Sequence, residues 1–443
     1  MIDTNKSNPY SLISIFVFLA VFLGSGVYFA MQGVDYAFYQ ISASVAVLPA
    51  VAFGILSARG KLNESINTFI AGVSDSNIIT MCIIYLLAGA YGSVAKSVGG
   101  VDAAVGFGLS IIPEQFILPG IFIMGAFIST AMGTSMGTIA AITPIAAGLA
   151  HSAGLSMPLT LGAVVGGAMF GDNLSMISDT TIATVQTQGC KMKDKFLVNL
   201  WIALPAMVLT IILLVYLGES GAVSNPPEYH LTQLLPYLFV LILALLGVNV
   251  FVVLAVGIIV AASVGFYALP DYTLLKLSKS IYSGYTEMQE ILVLTLFIGG
   301  LSGIVKQQGG LNIVLKAIKK VTDKFTSSST SVRAGELGIA SIVSIADICT
   351  ANNTVAIILT GDTAREIAQH HKVDPRRAAS ILDIFSCVFQ GILPYSAQLL
   401  LAGSIALTSP FEIAGHVYYC IILGVMTILA ILFKYPKLKE RTK

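Results

Sequence analysis

The sequence predicts an all-α polytopic membrane protein built from two inverted repeats, each with about five transmembrane helices and a re-entrant hairpin. Three observations carry that expectation: the composition, the spacing of uncharged runs, and a set of landmarks that recurs in the second half. Of 443 residues, 56% are hydrophobic and only 11% charged, with a mean hydropathy of +0.86. A soluble domain carries about 25% charged residues. The net charge of +1 gives no reason to expect nucleic acid or an acidic partner. The five cysteines are scattered and form no Cys-x-x-Cys pair, so neither a disulfide framework nor a zinc site is expected.

Runs of membrane length, uncharged or nearly so, fall at Leu12–Ala30, Ser42–Ala58, Ile78–Ala95, Gln115–Ala150, Leu159–Gly171, Phe196–Gly218, Leu231–Pro270, Ile291–Val305, Leu337–Thr360, Ala378–Pro410 and Ile413–Phe433. The first is long enough to span and others follow it, so it reads as a transmembrane helix and not as a signal peptide. Leu231–Pro270 has room for two helices with a turn at Gly247-Val248-Asn249. Gln115–Ala150 exceeds one straight span and is interrupted by Met132-Gly133-Thr134-Ser135-Met136-Gly137-Thr138. Between Ser57 and Ile78 the charged residues Arg59, Lys61, Glu64 and Asp75 mark a short interfacial helix, with Lys276–Glu290 as its counterpart.

The landmarks then repeat. Gly89, Lys96, Gly99 and Gly100 recur as Gly299, Lys306, Gly309 and Gly310, at a constant separation of 210 (299 − 89 = 310 − 100). Thr134–Thr138 falls opposite Thr350–Thr354 at 216 (350 − 134). The stretch Asp172–Asp179 then falls near Gln390–Gln398. This divides the chain into an N-terminal repeat, residues 1–222, and a C-terminal repeat, residues 223–443. Each half reads as two spans, a third ending in Lys-x-x-Gly-Gly, a broken fourth, a hairpin and a last span. Five crossings per half would invert the second relative to the first.

Basic residues at Arg59/Lys61, Lys191/Lys193/Lys195, Lys316–Lys324 and Lys434–Lys443 fit cytoplasmic termini, and Glu219–His230, which lacks Lys and Arg, fits the outside. Arg365, Lys372, Arg376 and Arg377 disagree, because the same plan leaves them external.

Chemistry concentrates in Gly171-Asp172-Asn173-Leu174-Ser175-Met176-Ile177-Ser178-Asp179-Thr180-Thr181. Two carboxylates among hydroxyls cannot face lipid without partners. Sodium, a hard cation, takes carboxylate, hydroxyl and carbonyl oxygens, and a broken helix frees carbonyls. Asp172 and Asp179, expected to be buried, therefore supply charge for Na+. Ser175, Ser178, Thr180, Thr134, Ser135 and Thr138 supply oxygens on one side. Asn352, Asn353 and Thr354 supply the other side, with Asp347 and Asp383 as second-half carboxylates. Gln390, Ser396 and Gln398 are candidates for a substrate pocket or for satisfying hairpin backbone. A carboxylate away from water can hold a proton or a cation but not both, which is the logic of exchange. The plainer alternative is N-capping by Asp172, Ser178 or Asp179. Lys96 and Lys306 read as snorkelling anchors. An intramembrane aspartyl protease is disfavoured, because Met169 stands where its Gly-x-Gly-Asp motif needs the first glycine and no Tyr-Asp pair occurs. Paired broken elements also suit alternating access better than a channel.

Gly171-Asp172 with Ser175 and Ser178-Asp179-Thr180-Thr181, preceded by Gly133-Thr134-Ser135-x-Gly137-Thr138, resembles the NhaC family of sodium/proton antiporters, part of a wider ion-transporter superfamily. The resemblance implies inverted repeats, re-entrant hairpins and exchange of sodium for protons. The family often has Lys at Asn173, Pro at Met176 and Trp at Met136; these departures leave the oxygen-bearing residues in place. Relatives of similar sequence exchange organic acids or take up amino acids, so a Na+- or H+-coupled transporter of a small organic acid or amino acid is the alternative. The expected setting is the inner-membrane bilayer, with small inorganic cations as partners, no nucleic acid, no cofactor beyond Na+ and H+ as coupling ions, and a homodimer left open.

Overall fold

Four short interruptions, each within or between apolar helices, position everything that follows. The computed structural model describes residues 8, 10–32, 34, 40–58, 60–111, 113–176, 178–218, 230–246, 248–310 and 331–436. Arg59, Ile177, Gly247, most of the Glu219–His230 segment, Lys316–Lys324 and residues 437–443 lie outside the described residues.

The first half contains α1 (Tyr10–Met31), α2 (Ala43–Ala46), α3 (Leu48–Ser57), α4 (Leu62–Val73), α5 (Ser76–Ser97), α6 (Gly100–Ile111), α7 (Ile117–Met132), α8 (Ser135–Ala153), α9 (Met157–Leu174), α10 (Asp179–Gln188) and α11 (Met192–Leu217). The second contains α12 (Leu231–Leu245), α13 (Val250–Ala268), α14 (Leu274–Glu287), α15 (Gln289–Gln307), α16 (Val332–Thr350), α17 (Asn353–His370), α18 (Pro375–Ile392), α19 (Ala397–Ala406), α20 (Pro410–Ala414) and α21 (Tyr418–Leu432). Among the described residues there is no strand. Among the described residues six helical segments are long and apolar enough to cross a membrane, including Pro375–Ala406 taken through its interruption, and six shorter apolar helices accompany them. The chain is an all-helical polytopic membrane protein.

The interruptions match in pairs. Gly133 (φ 69°) ends α7 and Thr134 caps α8, while Ala351 (φ 50°) ends α16 and Asn352 caps α17. The left-handed residues are 218 apart (351 − 133), so the backbone register differs by two from the one read off the hydroxyls. Helices α9 and α18 have 18 residues each, α10 and α19 have 10 each, and their starts are also 218 apart (375 − 157 = 397 − 179). Left-handed conformation suits Gly133; at Ala351 the Cβ costs about 1–2 kcal/mol, and the strained carbonyl is pinned by Gln390 Nε2 at 3.1 Å.

The hairpin and the broken span exchange places relative to the sequence expectation. Helices α16 and α17 lie against each other, and His371 Nδ1 comes 3.2 Å from Ser331 O, so both ends of the 332–370 segment meet. Helices α18 and α19 touch little and continue one apolar span. The difference is visible at the turns: a left-handed residue reverses the chain at 351, whereas at 393–396 a single turn over Pro394-Tyr395, closed by Ser396 N to Leu393 O at 2.9 Å, is flanked by extended Leu393 and Ser396 and the chain carries on.

Contacts between ends correct a second expectation. Asp374 and Arg376 lie within electrostatic reach of Cys190 and Asp194. Arg377 Nη1 donates to Tyr435 O at 2.6 Å. The basic residues near 372–377 therefore share one end of the molecule with Lys191, Lys193 and Lys434, and do not form an opposing patch. At the other end Gly162, near the start of α9, abuts His416, beyond the end of α19.

The two short amphipathic helices appear where expected. α4 exposes Leu62, Ile66 and Ile70, and α14 exposes Leu274, Leu275 and Tyr282, as interfacial helices do. Each packs on the other half. Gly72 of α4 meets Gly299 and Gly303 of α15, and Gly284 of α14 meets Gly89 of α5, close enough that a Cβ would strike backbone. Gly89 of the repeated Gly89/Gly299 pair thus has a packing reason, since only glycine admits so close an approach to the Gly284 backbone, whereas a Cβ at Gly299 would meet the Ile78 side chain at 2.8 Å.

Candidate cation site

Between Leu174, where α9 stops, and Asp179, where α10 starts, Ser175 and Ser178 have extended backbone. Asp172, in the last turn of α9, is 2% exposed. Its Oδ1 accepts from Ser178 Oγ at 2.7 Å and its Oδ2 from Ser135 Oγ at 3.2 Å. Thr180 Oγ1 lies 2.8 Å from the Ser178 hydroxyl. A carboxylate served by two hydroxyls is not a helix cap, and Ser178 makes no side-chain cap bond either.

Asp179 opens α10, and Thr354 Oγ1 donates to its Oδ2 at 2.7 Å from the first turn of α17. Contrary to expectation Asp179 is exposed, not buried. The reason is positional: it stands at the mouth of a cavity of about 70 Å³ that Asp172 lines from deeper inside. Thr134, Ser135, Asn352, Asn353, Thr354 and Gln398 line the same cavity, together with Thr80, Met81, Ile84 and Met136. The space is far below the roughly 300–1,000 Å³ of organic-ligand pockets. It suits an ion with its water.

A chain of amides joins the interruptions. Gln390 Nε2 donates to Gln398 Oε1 at 2.8 Å, and Gln398 Nε2 donates to Ser135 Oγ at 3.1 Å, one bond from Asp172. Asn352 uses its Oδ1 to cap α17 through Val355 N, leaving buried Nδ2 without a partner.

Other candidates serve the backbone. Thr138 donates to Thr134 O, Ser396 caps α19 through Leu399 N, and Asn353 accepts from Thr354 N. The Ser175 carbonyl accepts from Thr181 Oγ1. Asp347 is fully buried with no hydrogen bond to either oxygen and does not line the cavity.

Asp383 is not a free ligand. Lys195 Nζ sits 2.6 Å from its Oδ2, and both side chains are inaccessible. Asn173 and Asn199 donate to the same oxygen at 2.7 and 2.9 Å. This also overturns the cytoplasmic placement of Lys195. One turn into α11, that lysine turns inward from Lys191 and Lys193, which are exposed. Sequence reasoning missed Lys195 and Asn199. The signal available was Asn199, a lone amide in an otherwise apolar run.

Beside this cavity a larger one of about 740 Å³ is lined by Glu64, Asp75, Ser302, Lys306 and Thr350, among others. Asn352 lines both. Among the described residues no group of three or more His, Cys, Asp or Glu side chains is arranged to hold a metal.

Comparison with known proteins gives a transporter class and a family match over the first half of the chain. Residues 6–219 match the Na+/H+ antiporter family. The malate-2H(+)/Na(+)-lactate antiporter of Bacillus subtilis is 24% identical over 440 residues, covering 90% of this chain and 89% of that protein. The Na(+)/H(+) antiporter NhaC of Alkalihalophilus pseudofirmus is 30% identical over 184 residues, covering 42% of this chain and 39% of that protein. The arginine/ornithine antiporter ArcD of Halobacterium salinarum is 21% identical over 394 residues, covering 81% and 80%. These relatives are transporters, and the transporter class stands over the enzyme class. The resemblance carried by Gly133–Thr138 and Gly171–Thr181 lies within residues 6–219, the part of this chain that matches the Na+/H+ antiporter family.

Proposed function

We propose that this protein is an inner-membrane secondary transporter that exchanges sodium for protons by alternating access, with Asp172 and Asp179 as the shared carboxylates. The observation that carries this is the small cavity where both meet oxygen donors from the opposite half, Thr354 Oγ1 at Asp179 and the Gln398–Ser135 relay at Asp172. A cation there has carboxylate, hydroxyl and amide oxygens in reach, the ligands a hard ion takes. Proton uptake removes the negative charge that holds the ion, so each expels the other.

Two inverted repeats, residues 1–222 and 223–443, form one integrated unit in this proposal. The matched interruptions at a separation of 218 support it, as do the opposed ends of the two broken spans. A cytoplasmic side at Lys191, Lys193, Lys372 and Lys434 follows from the positive-inside rule.

A second reading, exchange of a small organic acid or amino acid on the same cation site, is favoured by the 740 Å³ cavity that shares Asn352 with it. Two relatives that match over most of their length also carry organic substrates in their names. Proteoliposomes decide between the two. Dissipation of a pH gradient by sodium alone establishes the first; a strict requirement for an organic co-substrate replaces it with the second.

A further inference from the structure

The α9–α10 interruption carries a second cluster of oxygens, outside the Asp172–Asp179 cavity. The Lys195 ammonium has three donors. It lies 2.6 Å from Asp383 Oδ2, 2.8 Å from Asn173 O and 2.7 Å from Thr181 Oγ1. Asn173 O belongs to the carbonyls left without a helical partner where α9 ends. A carboxylate, a freed carbonyl and a hydroxyl around one positive centre are also the ligands of a small bound cation.

The arrangement is not explained by stability. Replacing a fully buried ion pair by apolar side chains of similar volume is often neutral or stabilising, because both charges leave water. Its location is informative instead: Lys195 comes from α11, Asp383 from α18, and the carbonyl and hydroxyl from the two sides of the interruption. Asn173, whose carbonyl binds Lys195 and whose amide binds Asp383, directly follows Asp172.

We propose that Lys195 is a tethered cation: its ammonium permanently fills a second cation site at the α9–α10 interruption, leaving the chain one site for a mobile ion. The count of mobile ions rests on the exchanger reading above, whereas the Lys195 site is tested by binding alone. The purified full chain carrying Asp172→Asn and Asp179→Asn, which lacks the proposed mobile-ion site, is assayed with radioactive sodium. It binds none. Adding Lys195→Ala restores binding of one sodium ion per chain, and adding Asp383→Asn removes it again. A folded Lys195→Ala chain that binds no sodium overturns the proposal. Lys195→Ala is also purified in sodium, potassium and methylammonium buffers. Recovery of folded protein in none of them shows that no free cation replaces the ammonium, and likewise overturns it. Failure of the exchanger reading is seen separately, as absence of sodium binding to the unsubstituted chain.

Discussion

Thr354 Oγ1 donates to Asp179 Oδ2 at 2.7 Å, joining the start of α17 to the start of α10 across 175 residues of chain. Both residues stand in a first helical turn, where free backbone N–H groups already favour negative charge. The hydroxyl therefore steadies the carboxylate at the cavity mouth. Thr354→Val removes that donor and keeps the shape. A hydrogen bond to a charged group contributes about 1.5–3 kcal/mol, so the sodium half-saturation concentration should rise by roughly 10-fold or more. Thr354→Ser should stay near the parent, as measured by sodium-driven proton flux.

At Asp172 the consequence is larger. Asp172→Asn deletes the charge while leaving Ser135 and Ser178 able to bond to the amide oxygen. Sodium-dependent flux should be lost, with a fall of at least ~100-fold, equivalent to about 3 kcal/mol. Ser178→Ala should give an intermediate loss. Sodium-dependent transport surviving in the Asp172→Asn/Asp179→Asn double variant would refute the assignment.

Gln398→Leu tests the relay between the halves. It breaks the bonds to Gln390 and Ser135 but leaves Asp172 its Ser178 partner. Ser135 then loses its orientation, and sodium affinity should fall by about 10-fold, or ~1.4 kcal/mol. A binding titration shows whether it does.

The Gly89–Gly284 contact gives a stability test away from the site. A side chain at either position strikes backbone of the other helix, and overpacking costs about 1–3 kcal/mol. Gly89→Leu and Gly284→Leu should each lower the melting temperature in detergent by several degrees, and Gly92→Leu, where a Cβ meets nothing within 4 Å, should not.

Much of the site was legible because the bilayer tolerates few explanations for polar residues. Asp172, Ser178, Ser135 and Thr354 were recoverable from hydroxyls and carboxylates in an apolar background. Which interruption reverses the chain was not legible, because glycine and hydroxyl content marks a break without giving its direction. Ala351 takes the left-handed conformation that composition would assign to glycine. Lys195 was misread because a basic residue beside Lys191 and Lys193 looks like solvated charge. Only packing of α11 against α18 reveals its contact with Asp383.

The most direct test is proton release on sodium binding. Purified protein in weakly buffered solution near neutral pH is titrated with sodium chloride while a pH indicator is followed, with choline chloride as the control. Sodium should displace protons, with the apparent sodium affinity falling as pH is lowered, and Asp172→Asn should abolish the release. Sodium binding with no proton release at any pH, or release unchanged in Asp172→Asn, would contradict a shared carboxylate site.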